Sequence, residues 1–349
     1  MEALVYKGPG VVAMEHQADP QPGPGEVLVA VRAVGVCGSD VHGFAGGTGR
    51  RSAGSVMGHE AAGVVLAHGP GIEKPRRGTR VAIFPILACH RCDACKHARP
   101  QLCDRRRVLG VEAPGAYAEY VVVPAGNCRP LRRTTSFAQG ALAEPLAVGL
   151  HAITLAGVRR GAVAAVIGAG GIGLCVLLAA RLRGASRIYV TDIVPERLAL
   201  VEALGGIPIS ARDQDAVDRV LRDAGGPLAC VVDAVGISDT VRQALALTGA
   251  GGRVVVVGMG APRVELPLYD LITRERVMLG AYAYTAREHA RAVRLINRRR
   301  VDVTPLIGRT CTLPDLPEIL PRLVRGEIPA PRVVVGIGEE SAGREFSSP

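Results

Sequence analysis

A glycine-rich turn between an apolar strand and a helix most restricts what this chain can fold into. The apolar run Val163–Ile167 leads directly into Gly168–Gly173 (GAGGIG), where a helical pattern begins. In this context Gly168 permits a tight turn, Gly170 lets the backbone approach a pyrophosphate, and Gly173 permits close packing of the helix on the strand. The pattern predicts a dinucleotide-binding site on a parallel sheet, with the phosphates at the helix N-terminus.

An acidic residue lies at the end of the next predicted strand, about 20 positions beyond the turn. Asp192 can accept hydrogen bonds from the ribose hydroxyls of the adenosine and would repel a 2′-phosphate, which favours NAD over NADP. Arg197 nearby leaves NADP open, and Asp192 could instead cap the helix that begins at Pro195. The predicted cofactor-binding residues are Gly168, Gly170, Gly171, Ile172, Gly173, Asp192 and Arg197.

The pattern of apolar residues divides the chain into two domains. Alternation in Glu26–Val36 predicts a half-buried strand, and further strands are predicted over 61–67, 80–84 and 116–123. From residue 163 to 281, strands alternate with helices, which indicates a parallel sheet with crossover helices. A helix over Ala286–Asn297 and a strand over Arg332–Ile337 return the chain to the β-rich part. We expect a catalytic domain at 1–150 and 284–349, and a dinucleotide-binding domain at 151–283.

Four of the nine cysteines are crowded into a short lobe, residues 86–106. Cys89, Cys92, Cys95 and Cys103 have the spacing C-x2-C-x2-C-x7-C, which allows four thiolates to surround one centre. Four thiolates with no water position are typical of a structural zinc site, although an iron–sulfur cluster also uses cysteines at this spacing. The odd number of cysteines argues against a disulfide framework.

Further motifs resemble the zinc-dependent medium-chain dehydrogenases, the superfamily of alcohol and polyol dehydrogenases. The resemblance covers nearly the whole chain and is carried by Pro22–Val29, Val36–His42, Gly58–Glu60, Cys89–Cys103, Gly115–Pro124, Glu144–His151 and Gly168–Gly173. It implies an α/β protein, with a GroES-like β-rich catalytic domain and a Rossmann doubly wound parallel sheet that binds NAD. A homotetramer or homodimer is also implied.

The resemblance also assigns roles to single residues. Cys37 and His59 would bind a catalytic zinc. Glu60 would either coordinate the zinc directly or contact its ligands without binding the metal. Glu144 stands where many alcohol dehydrogenases carry a cysteine, a substitution typical of the polyol, threonine and sugar-acid branch. It would either bind zinc or hold the zinc-bound water. Ser39 would take the alcohol proton, and His42 would pass it toward solvent through the nicotinamide ribose.

The resemblance thus implies two zinc ions per chain and a reaction with a small-molecule alcohol. We expect NAD-dependent oxidation of a secondary alcohol in a polyol, sugar acid, aminocyclitol or related substrate to the ketone. An L-threonine or 2,3-diol dehydrogenase is the alternative, and a catalytically inactive binding protein of the same fold is a weaker one. We expect the Gly43–Val56 loop to contribute to substrate specificity. Arg50 or Arg51 could contact a carboxylate or phosphate of the substrate there, although the simpler interpretation is that both arginine side chains are solvated.

The net charge of +10 raises the question of a nucleic-acid partner. The arginines are scattered in doublets and triplets without interleaved aromatic residues, so we expect no nucleic-acid binding. The first ten residues lack the apolar core of a secretory signal. The uncharged stretch Gly161–Ala180 has the length of a membrane span, but its glycines and central turn predict a strand followed by a helix. We therefore expect a cytoplasmic protein that does not bind membranes.

Overall fold

The computed structural model describes residues 1–47 and 49–338. The chain divides into two compact units, one formed by Met1–Glu144 together with the chain from Thr285, and the other by Pro145–Tyr284. Each unit has its own core of buried aliphatic residues.

The strands and helices alternate differently in the two units. The strands are β1 (Glu2–Gly8), β2 (Val11–His16), β3 (Glu26–Val36), β4 (Glu60–His68), β5 (Arg80–Ile83), β6 (Ile86–Leu87), β7 (Arg107–Val108), β8 (Tyr120–Pro124), β9 (Cys128–Pro130), β10 (Val163–Ile167), β11 (Arg187–Asp192), β12 (Ile207–Ser210), β13 (Leu228–Asp233), β14 (Thr248–Val256), β15 (Val277–Gly280), β16 (Ile307–Thr312) and β17 (Arg332–Gly336). The helices are α1 (Gly38–Phe44), α2 (Asp93–Lys96), α3 (Phe137–Ala141), α4 (Ala143–Ala156), α5 (Gly171–Leu182), α6 (Pro195–Ala203), α7 (Ala216–Ala224), α8 (Ser238–Leu247), α9 (Leu268–Thr273), α10 (Ala286–Asn297) and α11 (Leu316–Val324).

The first unit is built on a seven-stranded sheet in the order β16-β17-β3-β4-β5-β9, with β8 also paired to β3. All neighbours are antiparallel except β16 and β17. The long strand β3 is central because its Val and Ala side chains are buried along most of its length. The C-terminal strand β17 pairs with the end of β3, Val333 opposite Val36, so residues distant in sequence reach the same end of the sheet.

One strand of this sheet begins later than its sequence pattern predicts. The alternating segment 116–123 predicts a strand over its whole length, but β8 begins only at Tyr120. The Ala116 and Tyr117 amides instead donate to the carbonyl oxygens of Gly58 and Met57, at 2.9 Å each. These bonds pull the segment toward the start of β4 and place the Tyr117 side chain beside the candidate site.

The second unit is a six-stranded, fully parallel sheet in the order β12-β11-β10-β13-β14-β15. The helices that connect successive strands cross over the sheet, as the alternating pattern predicts. The strand order reverses between β10 and β13, the position at which open parallel sheets of this kind bind nucleotides. The predicted Rossmann sheet and the β-rich companion are both confirmed. Three elements of this unit, β12, α7 and α9, are not among those that the sequence pattern predicts.

The apolar stretch Gly161–Ala180 forms the inner strand β10 and the first turns of α5, as predicted. Its apolar character follows from position, because β10 lies in the interior of a sheet and most of α5 is buried. Within residues 1–47 and 49–338, no helix combines the length and apolarity needed to cross a membrane.

Candidate active site

The ends of two neighbouring strands bring three metal-binding side chains together. Cys37 follows β3, His59 precedes β4, and Glu60 is the first residue of β4. The strands are antiparallel, and their register places Gly35 opposite Glu60. The end of one strand therefore meets the start of the other. The Cys37 sulfur, one His59 ring nitrogen and one Glu60 oxygen all lie within 4.8 Å of one another.

This donor set fits a zinc ion. Zinc binds thiolate, imidazole and carboxylate at about 2.0–2.3 Å, and three protein ligands leave a position open for a small oxygen ligand. Burial opposes ionisation of the Cys37 thiol, but the hydrogen bond and the charge of His59 outweigh it, and its pKa falls to about 5. The thiolate, which is the metal-binding form, is therefore present at neutral pH.

A buried carboxylate lies behind His59. Asp40 is fully buried, and its Oδ1 lies 3.5 Å from His59 Nδ1. Burial opposes ionisation of Asp40, but the charges of His59 and Arg51 lower its pKa to about 2. Burial also opposes protonation of His59, yet the Asp40 charge raises the pKa of the imidazole well above its usual range. Asp40 therefore holds the His59 imidazole from one side, and Cys37 is a second partner of the same ring.

Glu60 is completely buried between β3 and the C-terminal strand. A Cβ at Gly35 would lie 2.2 Å from Glu60 Oε2, so only glycine leaves room for this carboxylate. The Arg332 Nη1 lies 3.0 Å from Glu60 Oε1. Burial raises the pKa of Glu60 well above its usual range against the effect of Arg332, and the Glu144 charge adds to the increase. Glu144 is thus a buried neighbour in the first turn of α4, but it is outside the group of three converging donors.

The two predicted proton-transfer residues lie on the helix that follows Cys37. The helix α1 begins at Gly38, and Asp40 Oδ2 accepts a hydrogen bond from the Cys37 amide at 3.1 Å. Ser39 is half-buried, and His42 is exposed. A half-buried thiol at the N-cap, a half-buried hydroxyl and an exposed imidazole therefore follow one another along one short helix. This order suits a path from the site to solvent, and the proton transfer itself stays a prediction.

The cysteine lobe forms a second cluster of donors. The sulfur atoms of Cys89, Cys92, Cys95 and Cys103 lie within 4.8 Å of one another. The Cys92 amide donates to Cys89 Sγ at 3.4 Å, and the backbone amides of Arg91 and Cys92 lower the pKa of Cys89 to about 6. All four are free thiols. This cluster fits a tetrahedral zinc ion with no open position.

The second unit carries the glycine-rich turn between β10 and α5. Gly168 has φ +92°, in the left-handed region that favours glycine, and a Cβ there would lie 2.6 Å from Val235 Cγ2. Gly170 caps α5, while Gly171 and Ile172 form its first turn with free backbone amides at the N-terminus. A Cβ at Gly173 would lie 1.7 Å from the Gly168 carbonyl oxygen. The turn therefore has the close backbone approach that a pyrophosphate site requires.

Asp192 lies directly beside this turn. Its Oδ2 accepts a hydrogen bond from the Ala169 amide at 2.7 Å, and its Oδ1 accepts one from the Val194 amide at 2.9 Å. Arg197 Nη1 lies 3.8 Å from Asp192 Oδ2. The carboxylate is thus held at the carboxyl end of β11, where a bound adenosine ribose would lie.

Sequence reasoning missed three polar residues that surround the metal-binding donors. Asp40 lies within a motif that was identified, but its burial could not be read from the motif. Tyr117 and Arg332 arrive from distant segments, and only the register of the sheet brings them here. Arg51 corrects an expectation, because its side chain is 2% exposed and paired with Asp40 at 2.7 Å. It is therefore neither solvated nor available to a substrate anion. Arg50 instead pairs with Glu112 at the surface.

Comparison with known proteins gives the family. Residues 23–133 match the alcohol dehydrogenase GroES-like domain, and residues 171–298 match the zinc-binding dehydrogenase domain. The chain belongs to the zinc-binding dehydrogenases. This dehydrogenase is 34% identical to L-idonate 5-dehydrogenase of Vitis vinifera over 88% of this chain and 87% of that protein. It is 33% identical to sorbitol dehydrogenase of Ovis aries, over 87% and 88% of the two chains.

A solved structure of similar fold also belongs to this family. It is a zinc-binding dehydrogenase from Sinorhizobium meliloti 1021 bound to NADP, with 29% identity and a TM-score of 0.89. The match covers 96% of this chain and 99% of that one. The protein is therefore an alcohol oxidoreductase of the polyol dehydrogenase branch that uses NAD or NADP, as the sequence motifs predict.

Proposed function

We propose that this dehydrogenase oxidises a secondary alcohol of a polyol, sugar acid or related polyhydroxylated substrate to the ketone. The observation that carries the proposal is the convergence of Cys37 with the buried His59 and Glu60, with a further carboxylate, Glu144, close to them. Relatives that act on L-idonate and sorbitol support the substrate class. Zinc held by these residues would supply a Lewis acid that increases the acidity of the substrate hydroxyl, and a bound nicotinamide cofactor would supply the hydride acceptor.

The chain's own residues would divide the remaining work. Cys37 and His59 would hold the catalytic zinc, with Glu60 and Glu144 as carboxylates that bind it or hold a water. Ser39 would accept the proton of the hydroxyl group, and the exposed His42 would pass it to solvent. Cys89, Cys92, Cys95 and Cys103 would hold a second, structural zinc, so we propose two zinc ions per chain. If elemental analysis found one zinc per active chain, the proposal of a structural zinc would be wrong.

Glu144 provides the sharpest test of the substrate class. A carboxylate that exchanges between metal and water would allow a second substrate hydroxyl to approach, and vicinal diols and cyclitols offer that hydroxyl whereas ethanol does not. We expect kcat/KM for a vicinal diol or cyclitol to exceed that for ethanol at least about a hundredfold, roughly 2.7 kcal/mol. Equal values for the two substrates would contradict the proposal.

The variant Glu144→Gln separates this role from a structural one. It keeps the size of the side chain, so we expect an intact fold and a reduced kcat, with less zinc lost than in Cys37→Ser. If Glu144 merely stabilises the first turn of α4, kcat should stay near that of the wild type and the free energy of unfolding should fall by about 1 kcal/mol. Turnover and bound zinc in this variant decide between the two.

We propose NAD as the preferred cofactor. The Asp192 carboxylate is fixed at the end of β11 by two backbone amides and would accept hydrogen bonds from both ribose hydroxyls. The neighbouring Arg197 and the NADP-bound relative keep NADP as the alternative. Hydrogen bonds to a charged group contribute about 1.5–3 kcal/mol each, so Asp192→Gly should shift the NAD/NADP ratio of kcat/KM by at least about tenfold toward NADP. An unchanged ratio would show that another residue decides the choice.

We further propose that the enzyme is a homodimer or a homotetramer. Apolar side chains are exposed around α9 and the terminal strand β15, among them Tyr269 at 85% and Ile272 at 61%. The outer edge of β15 has no partner strand among the described residues. A twofold axis perpendicular to the sheet at this edge would pair β15 antiparallel with its own copy. Light scattering should report at least a dimer for the wild type and a smaller species for Ile272→Glu. A wild-type monomer at micromolar concentration would contradict this.

We also propose a cytoplasmic location. All nine cysteines are free thiols that are at least partly buried, and five of them belong to the two clusters of candidate metal-binding donors. Unpaired thiols that serve as metal ligands persist best in a reducing compartment. Fractionation of cells that express the tagged protein would test this location.

A further inference from the structure

Arg51 makes three directed hydrogen bonds inside the first unit. Its Nε donates to the Gly110 carbonyl oxygen at 2.9 Å, one terminal nitrogen donates to the Ser39 carbonyl oxygen at 2.9 Å, and the other donates to Asp40 Oδ1 at 2.7 Å. The side chain is 2% exposed. A buried guanidinium is costly unless its donors are satisfied, and this one donates to three acceptors, two on α1 and one at Gly110.

The helix α1 is shaped to receive this guanidinium. A Cβ at Gly43 would lie 1.7 Å from Arg51 Nη1 and 2.6 Å from the guanidinium carbon. Any larger residue at position 43 would therefore displace Arg51 from the helix. Gly43 lies one turn beyond Ser39, so the guanidinium lies along the helix that carries both predicted proton-transfer residues.

Asp40 is the acceptor through which Arg51 reaches the metal-binding donors. Its Oδ2 accepts hydrogen bonds from the Tyr117 hydroxyl at 3.0 Å and the Cys37 amide at 3.1 Å. Its Oδ1 faces both Arg51 and His59. The carboxylate thus contacts two of the three converging residues, and Arg51 is its nearest charged partner.

We infer that Arg51 is a positioning residue of the active site. Its guanidinium holds Asp40 against His59 and connects the Ser39 carbonyl to the turn at Gly110. Arg51 therefore positions both the proposed ligand His59 and the predicted proton acceptor Ser39. The inference rests on the proposed function, because it assumes that His59 is a ligand. Only a planar group with donors on three nitrogens can contact all three acceptors at once.

The experiment compares Arg51→Lys with Arg51→Met and uses Arg50→Met as the matched control. Lysine keeps the charge that Asp40 needs but cannot also reach Gly110 and Ser39 with fixed geometry. The enzyme is loaded with Co²⁺, and the visible bands absent from Cys37→Ser report the site. We expect Arg51→Lys to shift these bands and lower kcat at least about tenfold, with KM for the cofactor within about twofold of the wild type. Arg50→Met should leave bands and kcat within about twofold.

Each outcome decides something. A wild-type cobalt spectrum and kcat in Arg51→Lys would overturn the inference, whether or not Arg51→Met folds. Shifted bands in Arg51→Lys support it even if Arg51→Met is unfolded, because the lysine variant then isolates geometry from stability. A shift of equal size in Arg50→Met would overturn it, since the effect would belong to the loop as a whole. If the wild type itself shows no cobalt bands that depend on Cys37, the proposed function is wrong and the inference is wrong with it. If only Arg51→Lys behaves like the wild type, the inference alone is wrong.

Discussion

The two clusters of metal-binding residues are assembled in opposite ways. The four thiols of the cysteine lobe come from one short segment, and three of the four are only partly buried. Cys37, His59 and Glu60 instead come from the ends of two paired strands, and His59 and Glu60 are buried. The lobe depends on the spacing of its own residues, whereas the candidate active site depends on the register of β3 and β4.

The surroundings of the two clusters differ as well. The lobe thiols are contacted mainly by backbone amides of their own segment. The active site is enclosed by buried polar side chains from distant positions, with Asp40 and Arg51 on one side and Arg332 on the other. A cluster of the first kind should be needed mainly for stability, because it has no open ligand position. A cluster of the second kind is suited to chemistry, because its groups are held without solvent.

Loss of His59, the proposed zinc ligand, should produce the largest effect. In His59→Asn we expect kcat/KM to fall by at least about 10³, roughly 4 kcal/mol, because a ligand of the catalytic metal is lost. The melting temperature should change by only a few degrees, and the zinc content should fall from two ions to one. Turnover retained within about tenfold would contradict the assignment of His59.

Loss of one lobe thiol should produce the reverse pattern. In Cys95→Ser we expect the lobe to lose its zinc and the melting temperature to fall by about 10 °C, because a structural zinc contributes directly to the free energy of folding. The surviving folded fraction should keep the kcat of the wild type per active site. Calorimetry and titration of active sites would test this, and unchanged stability with lost activity would reverse the roles of the two clusters.

Acid should lower the free energy of unfolding through a buried histidine but not through an exposed histidine of the same unit. His289 is fully buried against Phe84, and burial, helped by the Arg129 charge, lowers its pKa to about 3. The unfolded chain binds a proton near pH 6.5 and the folded chain does not, so stability falls as the pH decreases from about 6.5 toward 3. At pH 5 this group alone should cost about 2 kcal/mol.

The variant His289→Leu should therefore lose less stability than the wild type between pH 7 and pH 5, by about 2 kcal/mol. Unfolding by urea at the two pH values measures the difference. His97 on the cysteine lobe provides the control, because its side chain is 70% exposed. His97→Gln should follow the wild type, and an identical acid response in His289→Leu would show that His289 does not contribute.

The sequence predicted the regular parts of the fold well. The observed bounds of β3, β10 and α10 equal the predicted ones, because each has a clear apolar period and a glycine, proline or capping residue at its end. The strand β8 was placed too early because its first residues alternate like a strand but bond to Met57 and Gly58. The strand β12 has only four residues and includes Pro208, and the helix α7 is rich in charged residues, with Val220 as its buried residue.

The same division holds for the candidate sites. Sequence alone predicted the cysteine lobe and the glycine-rich turn, because spacing and residue chemistry suffice to recognise them. It predicted the donors Cys37, His59 and Glu60 through the resemblance to the zinc-dependent dehydrogenases. Only the tertiary structure decided that Arg51 is buried against Asp40 and that Arg332 reaches Glu60. Arg332 and Glu60 lie far apart in the chain, whereas Arg51 and Asp40 are 11 positions apart. In both cases a surface arginine and a buried one look the same in the sequence until strand register and burial are known.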